Sequence, residues 1–188
     1  MTVTNHDIAI TDFGRDPDPA AVLDFLTEWV AGSNGVAEQH VADHADGAGT
    51  TLTARLDGTV VGLVTLRWTS NNPDFAAHNI PLVHQLMVVP GHRRTGIGTA
   101  LLDAAERLAA DRGRTTVGIT VGLFDQYGPA QRLYAKRGYV PDGKGACRAR
   151  TPLCEGEIVT VDHSLILWLT KDLKQLPSNR NRGEVGVR

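Results

Sequence analysis

Two arginines and two glycines share one turn, Arg93-Arg94-Thr95-Gly96-Ile97-Gly98, and this is where the sequence is best equipped for chemistry. An apolar run from Leu82 to Val89 leads into the turn, and Pro90-Gly91 stops that run, which is the pattern of a buried strand. Behind the turn, Ile97, Leu101, Ala105 and Leu108 recur at helical spacing, with Gly113 set to end the helix. A helix that starts on glycines lets a bulky anion reach its backbone. Its first N–H groups are unpaired and its dipole favours negative charge. With two guanidinium groups alongside, the turn reads as a site for phosphate or pyrophosphate. Two nucleotide motifs are excluded. The dinucleotide fingerprint needs a third glycine where Leu101 stands, and the P-loop needs a lysine that this turn lacks.

The elements that must position this turn can be read in order. Ile8-Ala9-Ile10 is a short strand, and Asp18 caps a helix with Pro19 at its first position and an apolar face of Val22, Phe25, Leu26 and Trp29. Gly32 ends that helix, and Ser33 caps a second one through Val36, His40 and Val41 that finishes near Gly47. Thr51–Leu56 and Thr59–Leu66 flank Asp57-Gly58, a hairpin signal because these residues tolerate positive φ. Trp68 to Pro81 reads as a polar loop broken sharply at Asn71-Asn72-Pro73. After the central strand and its helix, Thr115–Gly122 is a strand with Val117, Ile119 and Val121 on one face. Pro129 starts a helix that ends at Gly138, and Tyr139-Val140 opens another strand. Residues 142–157 read as a long loop, 164–169 as the closing strand, and 175–188 as a disordered tail.

Composition narrows the function. The chain has 188 residues, enough for one domain with a real core, with 41% hydrophobic and 21% charged residues. Its net charge of −2 supplies no basic field for nucleic acid or an anionic membrane, and no apolar run approaches a bilayer span. The first residues lack a basic region followed by an apolar one, so the expected location is cytoplasmic. Cys147 and Cys154 share one loop and are expected to be reduced, and no Cys/His cluster has metal-binding spacing.

Arg93-x-x-Gly96-x-Gly98 resembles the pyrophosphate-binding signature of the GNAT acyltransferase superfamily, Arg/Gln-x-x-Gly-x-Gly/Ala. Upstream, Leu86-x-Val88-x-Pro90-x-x-Arg93-Arg94-x-Gly96 is similar to its strand-to-turn wording. Downstream, Leu133-Tyr134-x-x-x-Gly138-Tyr139 resembles its second hallmark. The wording from Tyr127 to Gly143 is similar to a bacterial subgroup of general assignment. The resemblance covers about residues 50–173 and implies an α/β (α+β) domain over 1–174, with a mixed, mostly antiparallel central sheet and helices on both faces. It implies an N-acetyltransferase that takes acetyl-CoA as cosubstrate, needs no metal, and acetylates a primary amine of a small molecule or peptide by direct transfer. A homodimer is compatible with it. Nucleic acid and membrane are not implied partners.

The resemblance also implies roles for residues. Leu86, Met87, Val88, Arg93, Arg94, Thr95, Gly96, Ile97, Gly98, Thr99, Tyr127 and Tyr134 would contact the cofactor, with the Val88 N–H donating to the acetyl carbonyl. Tyr134 would be the general acid, since a phenol is protonated at neutral pH and can donate to a leaving thiolate. Many relatives carry a carboxylate along the central strand, but this chain has Leu82 and Gln85 at such places. His84 is the candidate base, with Glu155, Glu157, Asp162 and His163 as others, and an amine arriving already deprotonated would need none. Relatives also often have an asparagine where Tyr127 stands, seven residues before Tyr134. The missing carboxylate keeps a second class of function open, an acyl-CoA-binding sensor of the same fold. A third, a scaffold with no CoA site, would use the fold for interaction alone.

Overall fold

The computed structural model describes residues 8–29 and 36–173, so the expected features at Gly32, Ser33 and 175–188 lie outside the described residues. The chain begins with strand β1 (Ala9–Asp12) and a 3-10 turn (Phe13–Arg15), followed by helices α1 (Pro19–Trp29) and α2 (Val36–Ala45). The Asp18 carboxylate accepts from the Ala21 N–H at 3.2 Å, the cap its position predicts. Strands β2 (Gly49–Leu56) and β3 (Thr59–Arg67) form the expected hairpin, with Asp57 and Gly58 at φ 49° and 81°. Helix α3 (Pro73–Ala77) leads to the central strand β4 (Leu82–Val88) and helix α4 (Ile97–Asp111). Strand β5 (Thr116–Gly122), helix α5 (Gly128–Lys136) and strands β6 (Val140–Arg148), β7 (Thr151–Pro152) and β8 (Leu165–Asp172) complete the described chain.

Two loop expectations are corrected. The break at Asn72-Pro73 is a helix start: Asn72 accepts from the N–H groups of Asp74 and Phe75, and Pro73 supplies a preset first turn. The supposed loop after Asp142 continues as β6, because a bulge between Pro141 and Ala146, with Gly143 and Gly145 at positive φ, lets the strand resume pairing with β8. Both cysteines are free, Cys147 buried and Cys154 exposed.

The strands form one sheet in the order β1-β2-β3-β4-β5-β8-β6-β7. Of these contacts, only β4 with β5 is parallel. A bulge at Val61, where Gly62 pairs with Ala54 and Val60 with Arg55, resets the alternation along β3 and so its faces. Val61, Val64 and Leu66 pack with α4, while Val60 and Leu63 pack with Val22, Phe25 and Leu26 of α1. On β5, Val117, Ile119 and Val121 join the α4 side, and bare Gly118 on the other face leaves room for the Phe75 ring of α3.

A buried charge binds the second half of the domain together. Glu106 of α4 is fully buried and accepts from Arg137 at 3.2 and 2.8 Å, from the Tyr139 hydroxyl at 3.0 Å and from Lys171 at 2.6 Å. Arg137 also holds Asp103 at 2.7 Å, so α4, the end of α5 and β8 meet on one carboxylate. Removing the anion would leave two cations facing one another in a desolvated site. Glu106→Ala is expected to cost about 3–5 kcal/mol in urea unfolding, whereas an exposed carboxylate such as Asp125 should cost almost nothing.

Candidate active site

The site begins with an irregularity in β4. Register with β3 runs from Met87 opposite Leu63 to His84 opposite Thr65, so Gln85 and Leu86 together oppose Val64. Gln85 stands at φ 50°, and this bulge bends the strand. Pairing with β5 is limited to Leu82 with Gly118 and Val83 with Ile119, after which the two strands part. Beyond the bulge the Val89 N–H donates to the Val61 carbonyl at 3.0 Å. Alternation along the strand then turns the N–H and carbonyl of Val88 toward the gap left by β5. Arg93 folds back so that its Nε donates to that Val88 carbonyl at 3.0 Å, while the N–H stays aimed into the gap.

The basic turn follows directly. A 3-10 turn at Pro90–His92 leads to Arg93, Arg94 at φ 65° and Gly96 at φ 93°. Gly96 is the N-cap of α4 and no side chain caps the helix, whose first internal bond runs from the Ala100 N–H to the Gly96 carbonyl at 2.9 Å. The N–H groups of Ile97, Gly98 and Thr99 therefore face outward at the positive end of a fifteen-residue helix. Thr95 donates to the His92 carbonyl at 2.6 Å and tightens the turn. The two glycines differ in what they permit. Gly96 needs its left-handed backbone, whereas a Cβ on Gly98 would make ordinary contacts with Val88 at 3.8 Å and Leu133 at 3.9 Å. Gly98 thus marks where the helix start, the end of β4 and α5 meet. An uncapped helix start flanked by Arg93 and Arg94 fits a pyrophosphate, and the Val88 N–H fits a carbonyl oxygen.

Tyr134 follows Leu133 on α5, is buried, and packs on Tyr139 with ring centroids 5.7 Å apart. Burial pushes its phenol well above the ordinary value, and neighbouring Tyr127 adds to the effect, so the hydroxyl holds its proton at neutral pH. Tyr127 ends a 3-10 turn, lies over Gly122, and its hydroxyl sits 3.2 Å from Nδ1 of His163. Phe124 and His163 close an aromatic group around it, with centroids 5.0 and 5.2 Å from Phe124.

His84 lies on the α2 face of β4, opposite Thr65. Its Nδ1 is buried without a protein partner. Burial, then the charge of Arg67 and the neighbouring His40, push its pKa from 6.5 down to about 4. The imidazole is therefore neutral at pH 7 and a weak base. Leu86 packs into the α4-side core, and Met87 packs toward α1. Of the other candidate bases, His163 meets Tyr127, Asp162 is occupied by Ser164 and Arg148, and Glu157 accepts from the Cys154 N–H. Sequence reasoning missed the contact between His40 of α2 and Gln85, which no local signal announces across 45 positions. On the α1 face, a groove of about 530 Å³ has Asp18, Asp24, Glu28, Trp29 and Arg55 among its lining residues, with the Arg55 charge met by Asp16. No group of residues able to hold a metal ion occurs among the described residues, and no described helix is long and apolar enough to cross a membrane.

Residues 14–139 match the acetyltransferase (GNAT) family, and the chain belongs to it. Solved structures share the fold. An acetyltransferase of the GNAT family from Staphylococcus aureus is 20% identical, with 89% of this chain and all of that one covered and a TM-score of 0.56. An aminoglycoside 6'-N-acetyltransferase complexed with coenzyme A is 19% identical, with 90% and 99% covered and a TM-score of 0.61. A chimera of the spermidine N-acetyltransferase from Vibrio cholerae is 13% identical, with 90% and 96% covered and a TM-score of 0.61. No curated protein matches the chain in sequence.

The depressed His84 has a consequence for stability. Between its folded pKa of about 4 and the ordinary 6.5, the unfolded chain binds the extra proton, so stability is full above 6.5 and is lost as pH falls toward 4. His84→Gln should flatten this slope by about 2 kcal/mol between pH 7 and 4.5, read from urea midpoints across pH.

Proposed function

We propose that this acetyltransferase uses acetyl-CoA to acetylate a primary amine of a small molecule or peptide by direct transfer. The observation that carries the reading is the Val88 N–H aimed into the gap beside an uncapped, arginine-flanked helix start. Arg93, Arg94 and the N–H groups from Ile97 to Thr99 hold the pyrophosphate. Val88 donates to the thioester carbonyl as negative charge develops there. The cosubstrate supplies the acetyl group and takes the electrons of the broken C–S bond onto sulfur. Tyr134, whose phenol keeps its proton, gives that proton to the sulfur as the new C–N bond forms. His84 is neutral and its Nδ1 has no protein partner, which supports it as the group that receives the proton the amine loses. Its weak basicity suits an acceptor that arrives already deprotonated.

The acidic and aromatic groove under α1 supports a cationic acceptor, and structural neighbours named for aminoglycosides and spermidine act on amines of that kind. The weak base at His84 also favours one competing reading, a domain that binds acyl-CoA without turning it over.

Calorimetric titration with acetyl-CoA tests the grip. Arg93→Ala/Arg94→Ala is expected to weaken binding roughly tenfold or more. Tyr134→Phe separates enzyme from sensor: kcat should fall roughly 100-fold while acetyl-CoA affinity holds. Wild-type turnover in that variant removes Tyr134 as the acid, and wild-type protein that binds but releases no thiol with any amine favours the sensor.

A further inference from the structure

We infer that His40 is a positioning residue for the carbonyl-binding segment of β4, acting through Gln85. The inference rests on the acetyl-transfer reading above and names the device that sets its geometry. Gln85 holds φ 50°, a conformation that side chains other than glycine, asparagine and aspartate rarely adopt. Such a residue persists where its surroundings over-determine it. Here β3 pairs with β4 on either side of the bulge, and the Gln85 side chain is tied across elements, where Nε2 of buried His40 donates to its Oε1.

His40 is itself fixed. Its Nδ1 lies 3.0 Å from the Thr51 hydroxyl and 3.2 Å from the Thr65 hydroxyl, which are 2.9 Å from each other. Each hydroxyl has one proton to give. One serves Nδ1 and the other serves its fellow hydroxyl, so Nδ1 accepts and the ring proton stays on Nε2, facing Gln85. Thr51 belongs to β2 and Thr65 to β3, so the ring is pinned to the two strands that precede β4 in the sheet. Swinging Gln85 away would strand a buried imidazole N–H.

The consequence reaches Val88, three residues on. Without the bulge, β4 would shift one residue against β3, and each N–H beyond it would exchange ladder for gap. Val88 would then point its N–H into β3, and the segment would lose its donor.

The test uses Gln85→Ala, His40→Ala, the double variant and His40→Gln, whose amide can donate to Gln85 and accept from Thr51. With any amine the wild-type enzyme accepts, kcat should fall roughly 10- to 100-fold in each alanine variant. KM for acetyl-CoA should stay within about threefold, because the pyrophosphate grip is made by the start of α4, which its own buried face (Ile97, Leu101, Leu102) holds in the core. The double variant should lose no more than the worse single one, and His40→Gln should recover most of the rate. Wild-type kcat in folded Gln85→Ala, or additive losses in the double variant, overturns the inference. Crystal structures of Gln85→Ala and His40→Ala decide it without activity: a bulge and Val88 N–H in the wild-type place overturn it, and a straightened β4 upholds it. A wild-type protein that turns over no amine would fail the acetyl-transfer reading, and the same two structures would still decide the positioning role.

Discussion

The parting of β4 from β5 is the constraint on which the rest of the structure depends. A parallel pair in the middle of a sheet normally runs on until a strand ends, because an unpaired backbone in the interior is costly. Here the pair lasts for two residues on each strand. The bulge at Gln85 starts the divergence, and α4 and α5 cover its α4-side face. β8, inserted between β5 and β6, gives β5 a full partner on its other side across seven residue pairs. β5 can therefore leave β4 and remain a well-ordered strand. The cleft is a wedge held open between two strands that are each well paired elsewhere.

The two titratable side chains assigned to the proposed reaction are kept neutral by burial. Desolvation disfavours whichever form of a group is charged, so it raises a phenol and lowers an imidazole. Tyr134 keeps its proton and His84 does without one for the same reason. Arg93 and Arg94 stand exposed at the turn. In the proposed reaction the turn would draw the anion, and hydrogen bonds from fixed backbone, which gain strength where water is excluded, would do the rest.

Legibility in the sequence followed how local each cause is. The basic turn and α4 are contiguous, so Arg93 to Thr99 could be read together with the helix that completes them. The hairpin at Asp57-Gly58 was legible for the same reason, its positive φ values being written in the residue types. The opposite held for Gln85, whose equally unusual backbone has no mark in its side chain and depends on a histidine in another element. Asn72-Pro73 misled because the same two residues that break an extended chain also begin a helix, and what decides is Phe75 finding a place over Gly118. The start of β6 at Val140 was legible, but its continuation past Asp142 was hidden because its glycines look like loop and its pairing partner lies some twenty residues on.

The carboxylate of Glu106 also bears on how this sequence can drift. Arg137, Lys171 and Tyr139 are each matched to it, and each alone would be a misfit beside an apolar replacement. Substitutions at these four positions are therefore not independent trials. A chain that exchanged the carboxylate for a hydrocarbon would first have to give up its cations, yet giving up the cations first strands the acid. The path between an ionic and an apolar version of this joint crosses a valley in either direction. Relatives should therefore divide into lineages that keep the whole set and lineages that keep none of it.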